Sequence, residues 1–177
     1  MPPPALMSRV AVDRVTAGLL RDLRIDHPPV DLNRIAKHLG VRVQRTDLGA
    51  ECSGALVRTA DGAVIGVHWA HHPNRQRFSL AHELGHFCLH QGGTYIDKDV
   101  TVRFRDEESG SGTNVEERQA NQFAAALLMP TPWVRRAFQA SPFAFGDDSA
   151  LSQLAEAFQV STQAMSIRLA DLGLLKL

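Results

Sequence analysis

The stretch from Phe78 to His90 reads F-S-L-A-H-E-L-G-H-F-C-L-H, and it limits the fold more than any other part of the chain. Its apolar residues, Phe78, Leu80, Ala81, Leu84, Phe87 and Leu89, suit a helix buried on most sides. That helix would also carry His82, Glu83 and His86, and buried imidazoles and carboxylates need partners or a metal. In helical geometry positions 82 and 86 stack one turn apart on one face. Two imidazoles so placed can hold one zinc ion. Glu83 sits about 100° round the helix from His82. It would flank the ion without binding it, where a carboxylate can take a proton from activated water. Gly85 costs about 1 kcal/mol relative to alanine in a helix, which is tolerable if a second backbone passes close to the metal-binding face.

An H-E-x-x-H pattern alone also arises by chance, so the chain must supply a third ligand. The segment Asn114 to Met129, N-V-E-E-R-Q-A-N-Q-F-A-A-A-L-L-M, is the candidate source. Read as a helix, it buries Ala120, Phe123, Ala124, Leu127 and Leu128, and its small alanines permit close approach to the histidine helix. Glu117 borders that face and is preferred as the third ligand. Glu116, one residue earlier, becomes the ligand if the helix is rotated. Without the histidine pair both would read as solvated first-turn acids favoured by the helix dipole.

The remainder divides into recognisable pieces. Residues 1–7, with three prolines, are expected to be disordered. A helix is expected from Ser8 to about Ile25, and a second after an N-cap at Asp31, ending at Gly40. The period then changes to two, predicting strands over Val41–Arg45, Ser53–Arg58 and Ala63–Val67. The last two join around Asp61-Gly62, a strong hairpin signal, and a small antiparallel sheet is expected. His68, His71 and His72 lie in the loop that follows, with a ligand role weaker than that of Glu117. Val100–Arg105 alternates like an edge strand, and Asp106–Thr113 looks like a mobile surface loop. Further helices are predicted from Thr131 to Phe138, Ser149 to Phe158 and Ser161 to Leu172.

Composition narrows the function classes. Lys+Arg and Asp+Glu number 19 each, so formal net charge is zero and nothing points to a polyanionic partner. No apolar run approaches a membrane span. The N-terminus lacks the basic and apolar regions of a secretory signal. Two cysteines, Cys52 and Cys88, are too few for a disulfide framework. A cytoplasmic protein is expected.

The motifs together resemble those of the ImmA/IrrE family of metallopeptidases. The likeness rests on R-Q-R-F-S-L-A-H-E-L-G-H-F-C-L-H (75–90) and E-x-x-A-N-x-F-A-A-x-L-L-M-P (117–130). It extends to P-P-V-D-L-x-x-I-A-x-x-L-G-V (28–41), S-G-A-L-V (53–57) and L-A-x-x-F-x-V-S-x-x-A-M-x-x-R-L (154–169). The resemblance implies an α+β, zincin-like fold. It implies one zinc ion on His82, His86 and Glu117, with Glu83 as catalytic base. It also implies a helix-turn-helix repressor of the XRE type as the protein substrate, whose removal derepresses genes. The alternative is a non-catalytic antirepressor on the same fold. Members with longer C-terminal regions carry sensor domains; this chain stops soon after its last helices.

The expected organisation is a metallopeptidase domain over 8–140 and a helix pair over 141–177. That pair has a helix-turn-helix look, with Gln159 where a turn glycine is usual. Its only cations are Arg168 and Lys176, too few for docking in a major groove, so packing or partner docking is expected rather than DNA binding. His90 and Tyr95 are candidate oxyanion donors, with helix capping the competing role for His90. A peptide substrate would lie extended along an exposed strand edge.

Overall fold

The computed structural model describes residues 7–49, 51–90, 94–98, 112–140 and 148–175. The chain is α+β. Helix α1 (Arg9–Asp22) starts at Ser8, whose hydroxyl accepts the Ala11 N–H at 3.3 Å. Helix α2 (Leu32–His38) starts at Asp31, whose carboxylate accepts from Arg34 at 3.0 Å. Gly40, at φ 71°, turns the chain into the sheet.

The four strands are β1 (Val41–Thr46), β2 (Cys52–Thr59), β3 (Gly62–His68) and β4 (Tyr95–Lys98), in the order β1-β3-β2-β4. The hairpin at Asp61-Gly62 pairs β2 with β3 antiparallel, and β4 adds antiparallel to β2. β1, however, runs parallel to β3, so the sheet is mixed and not antiparallel throughout as expected. The reason is geometric. β2 runs opposite to β1 and lies two strand spacings of about 4.8 Å each from it, leaving a gap that β3 fills. β4 is a strand of four residues, too short to show a period. The expected strand over Val100–Arg105 lies outside the described residues, as does Asp106–Thr113 up to residue 111; Gly112 and Thr113 open a helix instead.

Helix α3 (Pro73–Leu89) is the central element. The sheet packs on one side of it, through β2 and β3, and α4 (Gly112–Leu128) packs on the other. α1 covers the far side of α4. Ala63, Ile65 and Val67 turn inward from β3, and Leu56 from β2. Helices α5 (Thr131–Ala140), α6 (Asp148–Phe158) and α7 (Thr162–Asp171) complete the described chain. Gln159 takes a left-handed φ of 52° in the α6–α7 turn.

Arg168 of α7 is only 3% exposed. Its Nε donates to the Met129 carbonyl at 3.1 Å and its Nη2 to Thr131 Oγ1 at 3.2 Å. One of the two cations noted in the helix pair is thus committed to the join between α4 and α5. Lys176 lies outside the described residues. Among the described residues no helix is long and apolar enough to cross a membrane.

Candidate metal centre

Because α3 is flanked by sheet and helix, most of its middle is buried, and His82, Glu83 and His86 are each at most 1% exposed. The close approach of α4 depends on Gly85. A Cβ there would stand 3.1 Å from the Ala120 Cα, its carbonyl oxygen and the Phe123 Cβ. Ala120, Phe123, Ala124, Leu127 and Leu128 are all fully buried, as the spacing predicts.

That contact brings Glu117 over the histidines. Its Oε2 lies 3.1 Å from His82 Nε2 and its Oε1 3.2 Å from His86 Nε2. The two Nε2 atoms are 3.0 Å apart. Among the described residues, these three side chains form the group of His, Cys, Asp or Glu donors that could hold a metal ion. Glu116 is not part of it. Nor are the loop histidines: His68 and His71 stack with ring centroids 4.6 Å apart, and the His72 ring caps α3 by accepting from Asn74.

The donor set fits zinc. Two imidazole nitrogens and a carboxylate are a known three-ligand set for a catalytic ion, and bonds of about 2.0–2.1 Å in tetrahedral array put neighbouring donors about 3.3 Å apart. The observed separations of 3.0–3.2 Å are close to that. Nitrogen lone pairs and a carboxylate gathered so tightly repel unless a proton or a cation lies among them.

The electrostatics favour a neutral His86 and an ionised Glu117. Burial lowers the His86 pKa, against the opposing pull of the Glu117 carboxylate, so the neutral imidazole is favoured. Burial alone would raise the Glu117 carboxyl, but the neighbouring imidazoles of His82 and His86 outweigh it. The carboxyl is held well below the usual carboxylate range. His82 has its Nδ1 3.0 Å from Asn121 Oδ1. The oxygen can only accept, so Nδ1 carries the hydrogen and Nε2 keeps its lone pair.

Glu83, next to His82 on α3, lies against β2. A Cβ on Gly54 would come within 3.0 Å of Glu83 Oε1 and 3.2 Å of its Cγ. Only a glycine lets the strand pass so near the carboxylate, and the register shift between Cys52 and Gly54 in the β2–β4 pairing falls at that point. The C-terminal end of α3 is held by Arg58 of β2, whose Nη2 donates to the carbonyls of His86, Phe87 and His90 at 2.8–3.2 Å. Arg58, Gly54, Asn121 and Gln119 were not legible as site residues from spacing alone. The Gly in S-G-A-L-V and the Asn in E-x-x-A-N-x-F were the visible signals.

Neither oxyanion candidate gains support. The His90 ring is buried, with one nitrogen 3.0 Å from His86 Nδ1 and the other 3.0 Å from Gln119 Oε1. The His90 ring does not cap the α3 carbonyls; its backbone N–H and Arg58 do. Tyr95 opens β4, and its side chain lies outside the described residues. Cys88 is a free thiol whose pKa burial raises to about 11, the nearby Arg58 charge opposing, so it is a poor ligand at neutral pH.

The model of the IrrE N-terminal-like domain family matches residues 36–170. The radiation response metalloprotease IrrE of Deinococcus radiodurans is 36% identical over 103 residues, covering 57% of this chain and 29% of that protein. The chain therefore spans under a third of that relative's length.

Proposed function

The chain belongs to the IrrE N-terminal-like family of metallopeptidases, and from that premise we propose that it is a zinc-dependent endopeptidase acting on a protein partner. The observation that carries the proposal is the convergence of His82 Nε2, His86 Nε2 and the Glu117 carboxylate on one point. Those three would hold the ion. A zinc ion there would supply Lewis-acid activation of water and of the scissile carbonyl.

The remaining steps belong to the protein. Glu83 takes the proton of the attacking water and later delivers it to the leaving amine. Gly54 lets β2 lie against that carboxylate and fixes where it sits. Asn121 keeps His82 in the tautomer whose Nε2 is free. Burial keeps bulk water from the pair of imidazoles, which strengthens every charge interaction among them. An extended peptide would dock along the β4 side of the sheet, the side nearer Glu83 among the described strands.

The partner we propose is a helix-turn-helix repressor of the XRE type, whose cleavage derepresses its target genes. Support for it comes from the paired motifs around His82 and Glu117 and their likeness to the family. A cytoplasmic setting goes with such a partner. Direct DNA contact by α6 and α7 is not part of the reading, since Arg168 is occupied in packing.

The test uses Glu83→Gln against candidate repressors, beginning with one encoded in the neighbouring reading frame. The variant should bind zinc with the wild-type stoichiometry and lose cleavage by about a hundred- to ten-thousand-fold, the usual worth of a general base. A variant that still binds the repressor and retains full derepression would make the protein a non-catalytic antirepressor instead.

A further inference from the structure

His82, His86 and His90 form a stripe at four-residue spacing, yet only the first two point at Glu117. His90 leaves the stripe because it is the C-cap of α3, with φ −119° and ψ 132°. Its ring swings behind His86, where it is 3% exposed and bridges His86 to α4.

The bridge has a direction. The Gln119 side-chain Nε2 donates to the Met7 carbonyl at 3.3 Å, since a carbonyl can only accept. That turns Gln119 Oε1 towards His90 Nε2, 3.0 Å away. The oxygen accepts, so the His90 hydrogen is on Nε2. A neutral His90 then presents a lone pair at Nδ1, and this nitrogen lies 3.0 Å from His86 Nδ1. Two nitrogens at that distance share one hydrogen, which must come from His86. With its hydrogen on Nδ1, His86 has a lone pair on Nε2, the atom that meets Glu117.

We propose that His90 is a positioning residue of the metal centre. Through the chain Met7–Gln119–His90 it holds His86 in the one tautomer able to bind a metal through Nε2. The inference rests on the metal reading above but adds a residue that binds neither metal nor substrate. It also explains why Met7, expected in a disordered N-terminus, is held: its carbonyl ends the chain and sets its direction. A partner that fixes the other ring nitrogen of a metal-bound histidine raises metal affinity about ten- to a hundred-fold.

Two measurements on the full chain test this. Zinc affinity is measured by competition with a fluorescent chelator for wild type, His90→Leu and His90→Asn. Leucine removes the acceptor and should weaken zinc binding by about ten- to a hundred-fold. Asparagine places an amide oxygen near the old Nδ1 position and should recover most of that loss. A folded His90→Leu with wild-type affinity, or a folded His90→Asn as weak as the leucine variant, overturns the proposal. If either variant fails to fold, a long-range 1H–15N spectrum of the zinc-bound wild type decides. It should show His86 protonated at Nδ1 and bound through Nε2; the reverse tautomer overturns the relay. Wild type that takes up no zinc at all overturns the metal centre and the relay with it. Zinc uptake with unchanged His90 variants removes the relay alone.

Discussion

His82 and His86 look equivalent in sequence but are held by different means, an amide oxygen on one and a second imidazole on the other. Their shared face was legible from the H-E-x-x-H spacing, because i and i+4 on a helix stack one turn apart. Asn121, Gln119 and Glu117 all sit on one short stretch, and their division of labour depends on the rotation of α4, which spacing does not specify. The protonation of His86 yields a prediction for the metal-free protein. Its pKa is lowered in the folded chain, so the unfolded chain binds the proton more readily below the ordinary value of 6.5. Stability attributable to His86 is therefore full above that value and is lost as pH falls towards the lowered one, with a limiting slope of about 1.4 kcal/mol per pH unit. Glu117 contributes in a lower window, below its ordinary 4.5. Urea midpoints of the metal-free chain from pH 8 to 5 should decline, and His86→Gln should flatten the decline. An equal slope in both proteins would assign it to other groups.

At the scale of elements, the meeting of α3 and α4 creates the site, and it was foreshadowed by Gly85 on one helix and Ala120 and Ala124 on the other. Adding one methyl at Gly85 puts it 3.1 Å from Ala120 backbone and from Phe123. The helices must move apart, and Glu117 moves with α4. Gly85→Ala gains about 1 kcal/mol of helix propensity but meets an overpacking cost of about 1–3 kcal/mol. Thermal unfolding should show a net loss of up to about 2 kcal/mol, and chelator competition should show weaker zinc binding. An alanine variant with unchanged zinc affinity would mean that the close approach does not set the Glu117 geometry. The helices and the β2–β3 hairpin were legible from period, caps and the Asp-Gly turn. The parallel β1–β3 pairing was not, because strand order depends on which gap the hairpin fills. β4 was hidden by its four-residue length.

Across the whole molecule, the C-terminal helices are tied back to the half that carries the candidate metal site by a buried cation. Arg168 joins α7 to the α4–α5 junction at Met129 and Thr131. Burial lowers its pKa, with Asp13 opposing. The Arg9–Asp171 ion pair at 2.9 Å adds a second link between the ends of the chain, but it is part-exposed and worth little. Arg168→Leu should therefore destabilise the protein by about 1–3 kcal/mol through lost charged hydrogen bonds, read from denaturant midpoints, while zinc affinity at 25 °C stays near wild type. A stable variant with altered zinc binding would contradict this separation. In sequence, Arg168 stood out as one of two cations in a helix pair and as the Arg of A-M-x-x-R-L; its burial follows from packing that α7 alone does not reveal.

In the proposed site, one ion is held by two histidines of α3 and one glutamate of α4. Anomalous diffraction at the zinc edge, on crystals of the full chain grown with zinc, tests it most directly. One strong peak is expected within bonding distance of His82 Nε2, His86 Nε2 and a Glu117 oxygen. A peak bonded to Glu116 in place of Glu117, or zinc bound only elsewhere, would contradict it.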